Sequence, residues 1–338
     1  MEAESKRRRV TIRDVARAAF VSTATVSMSL SDKPGVSEVT RRHVKEVAQG
    51  LGYVRNAAGV TLRTGADPTI GIYFDLSADD AGPILGAEQT QRPLLFPLRL
   101  SNQLFATLTA AGLRAYPITP ESSIGAVDAL VYIGGRAEGT LRVADVVGVP
   151  VIVCGAVPED LIPQIHVELD HRGMTNHVLT HLSNGGYSSP GLILHDGGGP
   201  QYTSVAATYQ EWCEEHGLAQ HLARVGSGGA PVSEVARGLI ESGADSIYDL
   251  SGCIADVLHG IEIAGRCVPG DVGLVSRSEG DVAGSMTPSV TSMSMLGQQV
   301  GQIIGEATVR AVGRSFDIHE RIVCPFELTV RESSARTA

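Results

Sequence analysis

Three polar residues and one glycine run are the positions of this sequence that could do chemistry. His166, Asp170 and His171 are close enough along the chain to suggest a metal site or an acid–base pair, but their spacing matches no metal-binding motif. We therefore interpret them as strand-end and helix-cap residues. The run 197–199 lies between a predicted strand and a predicted helix, yet it lacks both the GxGxxG spacing and the GK[ST] ending of phosphate-binding loops. The sequence predicts no catalytic residues, no cofactor and no metal, so we do not expect an enzyme.

The charge is distributed unevenly along the chain. Residues 1–65 contain twelve Lys or Arg and six Asp or Glu, a net charge of +6, whereas the other residues carry −16 and the whole chain −10. All lysines, at positions 6, 33 and 45, lie in this first segment. A basic segment on an acidic body is expected when only that segment contacts a polyanion, because the body would be repelled.

Length and composition exclude several classes of protein. The 338 residues are enough for about two domains, and 43% hydrophobic residues are typical of a globular chain. No apolar run reaches the roughly 18 residues that span a bilayer, and residues 1–10 lack the apolar core of a signal peptide. The five cysteines form no CxxC pair, which suits a reducing compartment. We expect a cytoplasmic protein that does not associate with membranes.

The basic segment has the pattern of three short helices. Thr11 can cap the first helix with Asp14 as its partner, Ser22 the second, and Ser37 the third, which follows a break at Pro34-Gly35. Apolar residues at helical spacing are expected to face inward: Ile12, Val15, Ala16, Val21, Val26, Leu30, Val39, Val44, Val47 and Leu51. This layout is typical of a helix-turn-helix DNA-binding domain, with a generic three-helix domain as the alternative.

Spaced motifs make this prediction more specific. They are Thr11-Ile12-Arg13-Asp14-Val15-Ala16, Val21-Ser22-Thr23-Ala24-Thr25-Val26-Ser27, Val36-Ser37, Thr40-Arg41 and Leu51-Gly52-Tyr53. Together they resemble the headpiece of the lactose-repressor/galactose-repressor (LacI/GalR) family of bacterial transcriptional regulators. The resemblance implies that the second helix enters the major groove of DNA. The implied base-edge contacts are Thr23, Ala24 and Met28, the implied phosphate contacts are Ser22, Thr25 and Ser27, and Thr11 belongs to the same predicted interface.

Two positions depart from the family pattern. Met28 stands where many relatives carry a basic residue, and Phe20 stands where many carry glycine in the turn. A methionine cannot make the bidentate contact of arginine with guanine, although it can contact a thymine methyl group. The bound DNA sequence is therefore expected to differ from the family average.

Residues 56–63 resemble the hinge helix of this family, which orders in the minor groove of bound DNA. Asn56, Leu62 and Arg63 are the DNA-contacting residues that the resemblance implies, with Leu62 as a wedge between base pairs. Gly59 should weaken this helix by about 1 kcal/mol, and an ordinary linker is the alternative. The predicted domains are a headpiece at 1–54, a hinge and linker at 55–68, and an effector-binding and dimerisation domain at 69–338.

The rest of the chain alternates strand-like and helical segments, which indicates parallel sheets covered by helices. The predicted strands are Ile70–Phe74, Ala129–Ile133, Val149–Val153, Gly191–Leu194 and Val272–Val275. The predicted helices are Asn102–Ala111, Arg172–Leu182, Thr203–Glu215, Ser233–Glu241, Gly252–Ala264 and Leu296–Val312. Family resemblance continues here and implies an all-α headpiece followed by a two-lobed α/β domain like the periplasmic binding proteins. Residues 76–126 fit poorly: 76–100 reads as irregular, and 117–127 is too short for the helix of most relatives.

The implied effector cleft lacks the polar residues of sugar-binding relatives. By local motif, the positions concerned are Gly155, Val205, Leu250, Ser251 and Ser278, and Asp249 could substitute at one of them if the register slips by one residue. A sugar buried against such residues would leave hydroxyls unpaired, at about 1 to 3 kcal/mol each. We expect a cleft that does not take simple sugars; an ordinary sugar pocket, misaligned here, is the alternative.

These patterns predict a transcriptional repressor that binds a palindromic operator in double-stranded DNA as a homodimer. Whether dimers pair into a tetramer, and whether a small-molecule effector exists, stay open. One alternative is an ordinary sugar-responsive repressor of a carbohydrate operon. Another, from a different class, is a solute-binding protein with no role in gene regulation, which the basic helical segment argues against.

Overall fold

The computed structural model describes residues 10–51, 53, 67–75, 95–119, 127–134, 149–158, 161–195, 199–226, 229–313 and 319–336. The hinge residues Asn56, Leu62 and Arg63 lie outside these ranges, as do 76–94 and 120–126 of the poorly fitting segment. The chain forms two compact units. The first unit comprises 1–75, 103–168 and 302–322, and the second comprises 76–102, 169–301 and 323–338.

Three helices form the N-terminal part of the first unit: α1 (Ile12–Ala18), α2 (Thr23–Leu30) and α3 (Glu38–Gly50). Each begins after a hydroxyl side chain, Thr11, Ser22 or Ser37, that accepts a hydrogen bond from a backbone N–H three residues later. Their shared core consists of Val15, Ala16, Ala19, Val26, Leu30, Val44, Ala48 and Tyr53. This small core fixes the three helices against one another, as the sequence predicts.

The first unit contains a six-stranded sheet of β1 (Thr69–Asp75), β2 (Arg114–Pro117), β3 (Ala129–Gly134), β4 (Val151–Gly155), β5 (Ile165–Leu169) and β11 (Glu320–Cys324). Its strand order is β11-β5-β4-β3-β1-β2, and the pairs among β1 to β5 are parallel. Two helices, α4 (Leu95–Ala110) and α9 (Gly297–Gly313), contribute their C-terminal parts to this unit. The central strands are buried on both faces, as expected of a covered parallel sheet.

The second unit contains a sheet of the same size. Its strands are β6 (Pro190–His195), β7 (His221–Val225), β8 (Ser246–Asp249), β9 (Gly273–Arg277), β10 (Thr291–Ser294) and β12 (Glu327–Thr329). The order is β12-β10-β9-β8-β6-β7, parallel except for the β10–β12 pair. The helices are α5 (His171–Asn184), α6 (Pro200–His216), α7 (Val232–Glu241) and α8 (Ile254–Ile263). Two apolar clusters, one including Val275 and the other Leu274, contain β9 side chains that alternate along the strand.

The structure corrects two expectations. The stretch read as irregular up to residue 100 is helical from Leu95, because Pro97 lies in the first turn of α4, where its missing N–H removes no helical hydrogen bond. Val39 and Leu51 do not face inward: their side chains are exposed, Val39 by 77%. Both lie at an end of α3, beyond the turns that Val44 and Ala48 bury.

Candidate nucleic-acid interface

The outer face of α2 is the surface that the sequence assigns to DNA. Thr23 and Ala24 are exposed, whereas Val26, Ser29 and Leu30 are buried against the other helices. Ser27, one turn after Thr23, is partly exposed on that outer side. No charged residue lies within α2. The helix therefore presents small hydroxyl and methyl groups, which allow close approach of a second macromolecule.

The polar residues at the start of α2 are held in fixed positions. Ser22 Oγ accepts a hydrogen bond from the Thr25 backbone N–H at 3.0 Å and lies 2.9 Å from Thr25 Oγ1. A helix N-terminus with free backbone N–H groups attracts anions. Thr11 makes the corresponding capping box with Asp14, whose carboxylate accepts a hydrogen bond from the Thr11 N–H at 2.9 Å. The predicted phosphate contacts Ser22 and Thr25 thus sit at an electropositive helix end.

The turn between α1 and α2 contains an unusual residue. Phe20 has a φ of 55°, in the left-handed region that a bulky side chain adopts only at a cost in energy. Its side chain is 93% exposed, so no packing within the headpiece offsets this strain. Glycine, which many relatives carry here by resemblance, would adopt this conformation freely.

Arg41 and Lys45 fasten α3 to the end of α2, a role that the sequence reasoning missed. The Arg41 guanidinium donates hydrogen bonds to the Met28, Ser29 and Lys33 carbonyl oxygens at 3.3, 3.4 and 2.9 Å. Both basic side chains also pair with Asp32, Arg41 at 3.3 Å and Lys45 at 3.1 Å. We call these contacts of Arg41 and Lys45 the clasp between α2 and α3, and Met28 is partly buried beside it. These two cations therefore act within the headpiece, while others remain exposed: Arg13, Arg17, Lys33 and Arg42.

The residues predicted for the effector cleft fall in both units. Gly155 ends β4 in the first unit, with a φ of 97°, and a Cβ added there would lie 2.1 Å from the Gly134 carbonyl oxygen. No L-amino acid side chain fits at this position without moving the backbone. The pairing of β3 with β4 therefore leaves no room for a polar side chain at Gly155.

In the second unit, Val205 and Leu250 are buried in one apolar cluster, which also contains Tyr202 and Tyr209. Ser278 is buried as well, and its backbone N–H donates to the Met293 carbonyl oxygen at 3.1 Å. These three positions therefore serve packing and strand-end structure in this unit.

Asp249 and Ser251 form a buried polar cluster at the carboxyl end of β8. Asp249 accepts hydrogen bonds from Ser251 Oγ and N–H at 2.5 and 2.8 Å, and from Ser276 Oγ at 2.7 Å. Burial raises the pKa of Asp249, while these hydrogen bonds and the charge of Arg277 act in the opposite direction. Through these hydrogen bonds, the Asp249 carboxylate stabilises the loop that connects β8 to α8.

Arg277 lies beside this cluster and was not identified from the sequence. Its Nη2 donates to the Tyr202 hydroxyl at 2.8 Å and to the Leu250 carbonyl oxygen at 3.4 Å, and its guanidinium lies 5.2 Å from the Tyr202 ring centroid. A charged residue that directly follows a run of strand residues was the available signal. Parallel strands place such residues at the edge where ligands bind in α/β domains.

Among the described residues, no group of three or more His, Cys, Asp or Glu side chains could hold a metal ion. Nor does any described helix combine the length and apolar character needed to cross a membrane.

Comparison with known proteins identifies both parts of the chain. Residues 11–56 match the family model for bacterial regulatory proteins of the lacI family, and residues 179–334 match the periplasmic binding protein-like domain. The HTH-type transcriptional regulator CelR of Thermobifida fusca is 27% identical over 357 residues, which cover 97% of this chain and 99% of CelR. The maltose regulon regulatory protein MalI of Escherichia coli (strain K12) is 44% identical over 72 residues, 21% of each chain.

Solved structures share the fold. The lac repressor dimer bound to operator and the anti-inducer ONPF has a TM-score of 0.63 at 16% identity, covering 97% of this chain and 100% of that chain. The CelR–cellobiose complex has a TM-score of 0.60 at 20% identity, covering 96% and 100%. The predicted fold class is confirmed: an N-terminal helix-turn-helix domain precedes a two-sheet α/β domain of the periplasmic-binding-protein type.

Proposed function

We propose that this chain is a transcriptional repressor of the lacI family of bacterial regulatory proteins, which binds a near-palindromic operator as a homodimer. The observation that carries the proposal is the outer face of α2, with Thr23 and Ala24 exposed at its start. A short uncharged helix with an unhindered N-terminal half is suited to the major groove, where methyl and hydroxyl groups contact base edges.

Within this proposal the headpiece residues divide into two groups. Thr23, Ala24 and Met28 read base edges, whereas Thr11, Ser22, Thr25 and Ser27 approach phosphates together with backbone N–H groups. Met28 is partly buried, so its contact is limited to the exposed part of the side chain. The exposed cations Arg13, Arg17, Lys33 and Arg42 supply the salt-dependent attraction to the DNA backbone.

The proposal extends to the hinge. Asn56, Leu62 and Arg63 bind the minor groove, and Leu62 wedges between base pairs at the centre of the operator. Replacement of Leu62 by alanine is then expected to weaken operator binding while binding to random duplex is retained. Equal losses on both DNAs would argue for an ordinary linker.

The test begins by selecting bound sites from a random duplex library and mapping bound DNA across the genome of the source organism. On the selected site, Ala24→Glu is expected to abolish specific binding, because the new carboxylate faces base edges and phosphates. Gln49→Glu, which makes the same change in charge at an exposed position near the end of α3, is the matched control and should bind nearly as well as the native chain.

Salt dependence provides an independent check. Affinity should fall steeply with salt, since the basic groups of residues 1–65 release counterions on binding. A fragment that begins at Thr69 should not bind duplex DNA. Retained binding by that fragment, or equal effects of Ala24→Glu and Gln49→Glu, would contradict the assignment of the interface.

The effector is a separate matter. At Gly155 the backbone excludes a polar side chain, which supports a regulator that does not respond to simple neutral sugars. A sugar-responsive repressor of a carbohydrate operon is the second candidate, favoured by the cellobiose complex of CelR. Saturable stabilisation by a simple sugar, with altered operator affinity, would establish that candidate instead.

A further inference from the structure

Arg277 forms no salt bridge with a carboxylate in the described part of the chain, although its charge and that of Asp249 act on each other. Its hydrogen bonds go to two neutral oxygens, the Tyr202 hydroxyl and the Leu250 carbonyl. The side chain is half-buried at the carboxyl end of β9. A partly buried charge normally requires an opposite charge or several hydrogen bonds, so this guanidinium retains donors for another group.

Two of the acidic residues near Arg277, Asp249 and Glu279, accept hydrogen bonds from other groups. Asp249 accepts its three hydrogen bonds from Ser251 and Ser276. Glu279 accepts hydrogen bonds from Ser294 Oγ at 2.9 Å and the Met295 N–H at 2.7 Å, and a third from the Gly297 N–H at 3.2 Å. Both carboxylates therefore stabilise loops and helix ends, and the hydrogen bonds given for them come from groups other than Arg277.

A second arginine reaches the loop that follows Arg277. A Cβ built on Gly280 would lie 2.6 Å from Arg99 Nη2, so the guanidinium of Arg99 packs directly against this glycine. Arg99 is exposed, and within the described part of the chain it makes no ion pair and no side-chain hydrogen bond. Residues 76–102 and 169–301 belong to the same compact unit. Arg277, at the end of β9, and Arg99, in α4, thus both adjoin the loop that follows β9, and neither forms a salt bridge with a carboxylate of the described residues.

We propose that this edge of the second sheet binds a small molecule bearing a phosphate or carboxylate group, which Arg277 and Arg99 recognise. Arginine is suited to such oxyanions because its donors form a planar fork. A small anion is favoured over a nucleic acid, because residues 66–338 carry a net charge of −16 and would repel a polyanion. The role of this ligand as the effector of the regulator rests on the proposed function. Its binding can be measured without DNA.

Tyr202 has a positioning role in this proposal. Its hydroxyl accepts a hydrogen bond from Arg277, and its ring lies against the guanidinium, so the first turn of α6 orients the cation. Ligand binding would in turn order this turn of the helix and the loop after β9. The conformational response to the ligand thus begins in these two segments of the second unit.

The experiment measures thermal unfolding and binding calorimetry of the full chain with matched probes at millimolar concentration and constant ionic strength. The probes are inorganic phosphate, glucose, glucose 6-phosphate and gluconate, so that the phosphate and carboxylate groups are compared on one carbon skeleton. We expect glucose to have no effect and at least one anionic probe to raise the Tm in a saturable way. The absence of any effect of all three anionic probes would overturn the proposal.

Variants then assign the effect to the site. Arg277→Gln should weaken binding of the active probe by about tenfold or more, whereas Arg277→Lys, which keeps the charge, should retain part of it. Arg99→Gln should cause a smaller loss, and Tyr202→Phe, which removes only the hydroxyl, an intermediate one. The control is Arg224→Gln on the edge strand β7, an exposed arginine of the same sheet.

Each variant is compared with its own unliganded Tm, so that a general loss of stability is not mistaken for a loss of binding. Unchanged affinity in Arg277→Gln, or equal losses in Arg277→Gln and Arg224→Gln, would overturn the proposal. Failure of DNA binding in the separate operator assay would leave this result intact and would affect only its regulatory meaning.

Discussion

The guanidinium of Arg41, in α3, donates a hydrogen bond of 3.3 Å to the carbonyl oxygen of Met28, in the last turn of α2. This contact places a positive charge at the negative end of the helix that faces DNA in our proposal. Arg41 thereby fixes the orientation of the recognition surface without needing to contact DNA itself.

Arg41→Ala is expected to destabilise the headpiece by about 2 kcal/mol, since hydrogen bonds from a charged group to several carbonyl oxygens are lost. Amide hydrogen exchange of residues 23–30 in the full chain should become faster. Arg42→Ala, which changes the next and exposed arginine of α3, should leave this exchange rate unchanged. Equal exchange in both variants would show that the clasp does not stabilise α2.

Phe20→Gly is expected to stabilise the headpiece by about 1 kcal/mol, because glycine adopts a positive φ without the strain of a Cβ. The exposed phenyl ring has no packing within the headpiece to lose. Phe20→Ala, which keeps the Cβ, should remain close to the native chain. Slower exchange of headpiece amides in Phe20→Gly alone would verify this reason, whereas destabilisation by Phe20→Gly would reveal a contact of the ring.

Gly155→Ala should be strongly destabilising, by about 2 kcal/mol or more, because a left-handed conformation and a close backbone contact both exclude a Cβ. Gly238→Ala is the matched control: it lies within α7, and no heavy atom lies within 4 Å of an added Cβ. That change should raise stability by up to about 1 kcal/mol. Chemical denaturation of both variants gives the comparison, and a tolerated Gly155→Ala would mean that the β3–β4 contact can relax.

His181 gives the second unit a dependence on pH. Its Nε2 lies 2.8 Å from Ser334 Oγ, and burial, followed by the charge of His177, lowers its pKa below the usual 6.5. As the pH falls, His181 is therefore protonated in the unfolded chain before it is protonated in the folded chain. The free energy of unfolding that neutral His181 contributes above pH 6.5 is lost as the pH falls through that value towards the lowered pKa. Between about pH 7.5 and 5.5 the Tm of the native chain should fall more than that of His181→Gln.

The control for this comparison is His259→Gln, which changes an exposed histidine paired with Glu262. It should follow the native pH profile. Parallel profiles for the native chain and His181→Gln would show that His181 does not titrate in this range.

Local signals made the headpiece predictable. Thr11, Ser22 and Ser37 are followed by the backbone N–H groups that they cap, so the starts of all three helices can be read from adjacent residues. Val39 shows where this reasoning ends: it follows the helical period of the inward residues, but the core does not extend to the first turn of α3. Burial at a helix end depends on the neighbouring helices and not on spacing.

The edge of the second sheet was harder to foresee. Tyr202 and Arg277 are 75 positions apart, and their contact depends on the order of the strands between them. Local motifs pointed instead to Val205, in α6, and Leu250, directly after β8. The packing of these elements places both side chains in the apolar core. A motif gives a position along an element, whereas the direction of the side chain follows from how that element packs.

The sheet of the first unit includes a strand from near the end of the chain, which has a consequence for folding during synthesis. This strand is β11, so residues 320–324 must leave the ribosome before β5 acquires its outer neighbour. Until then β5 presents an unpaired strand edge, the kind of surface on which nascent chains associate with one another. Premature stops shortly before residue 320 should therefore yield aggregated rather than merely inactive protein, although they leave the DNA-binding helices and most of both sheets complete.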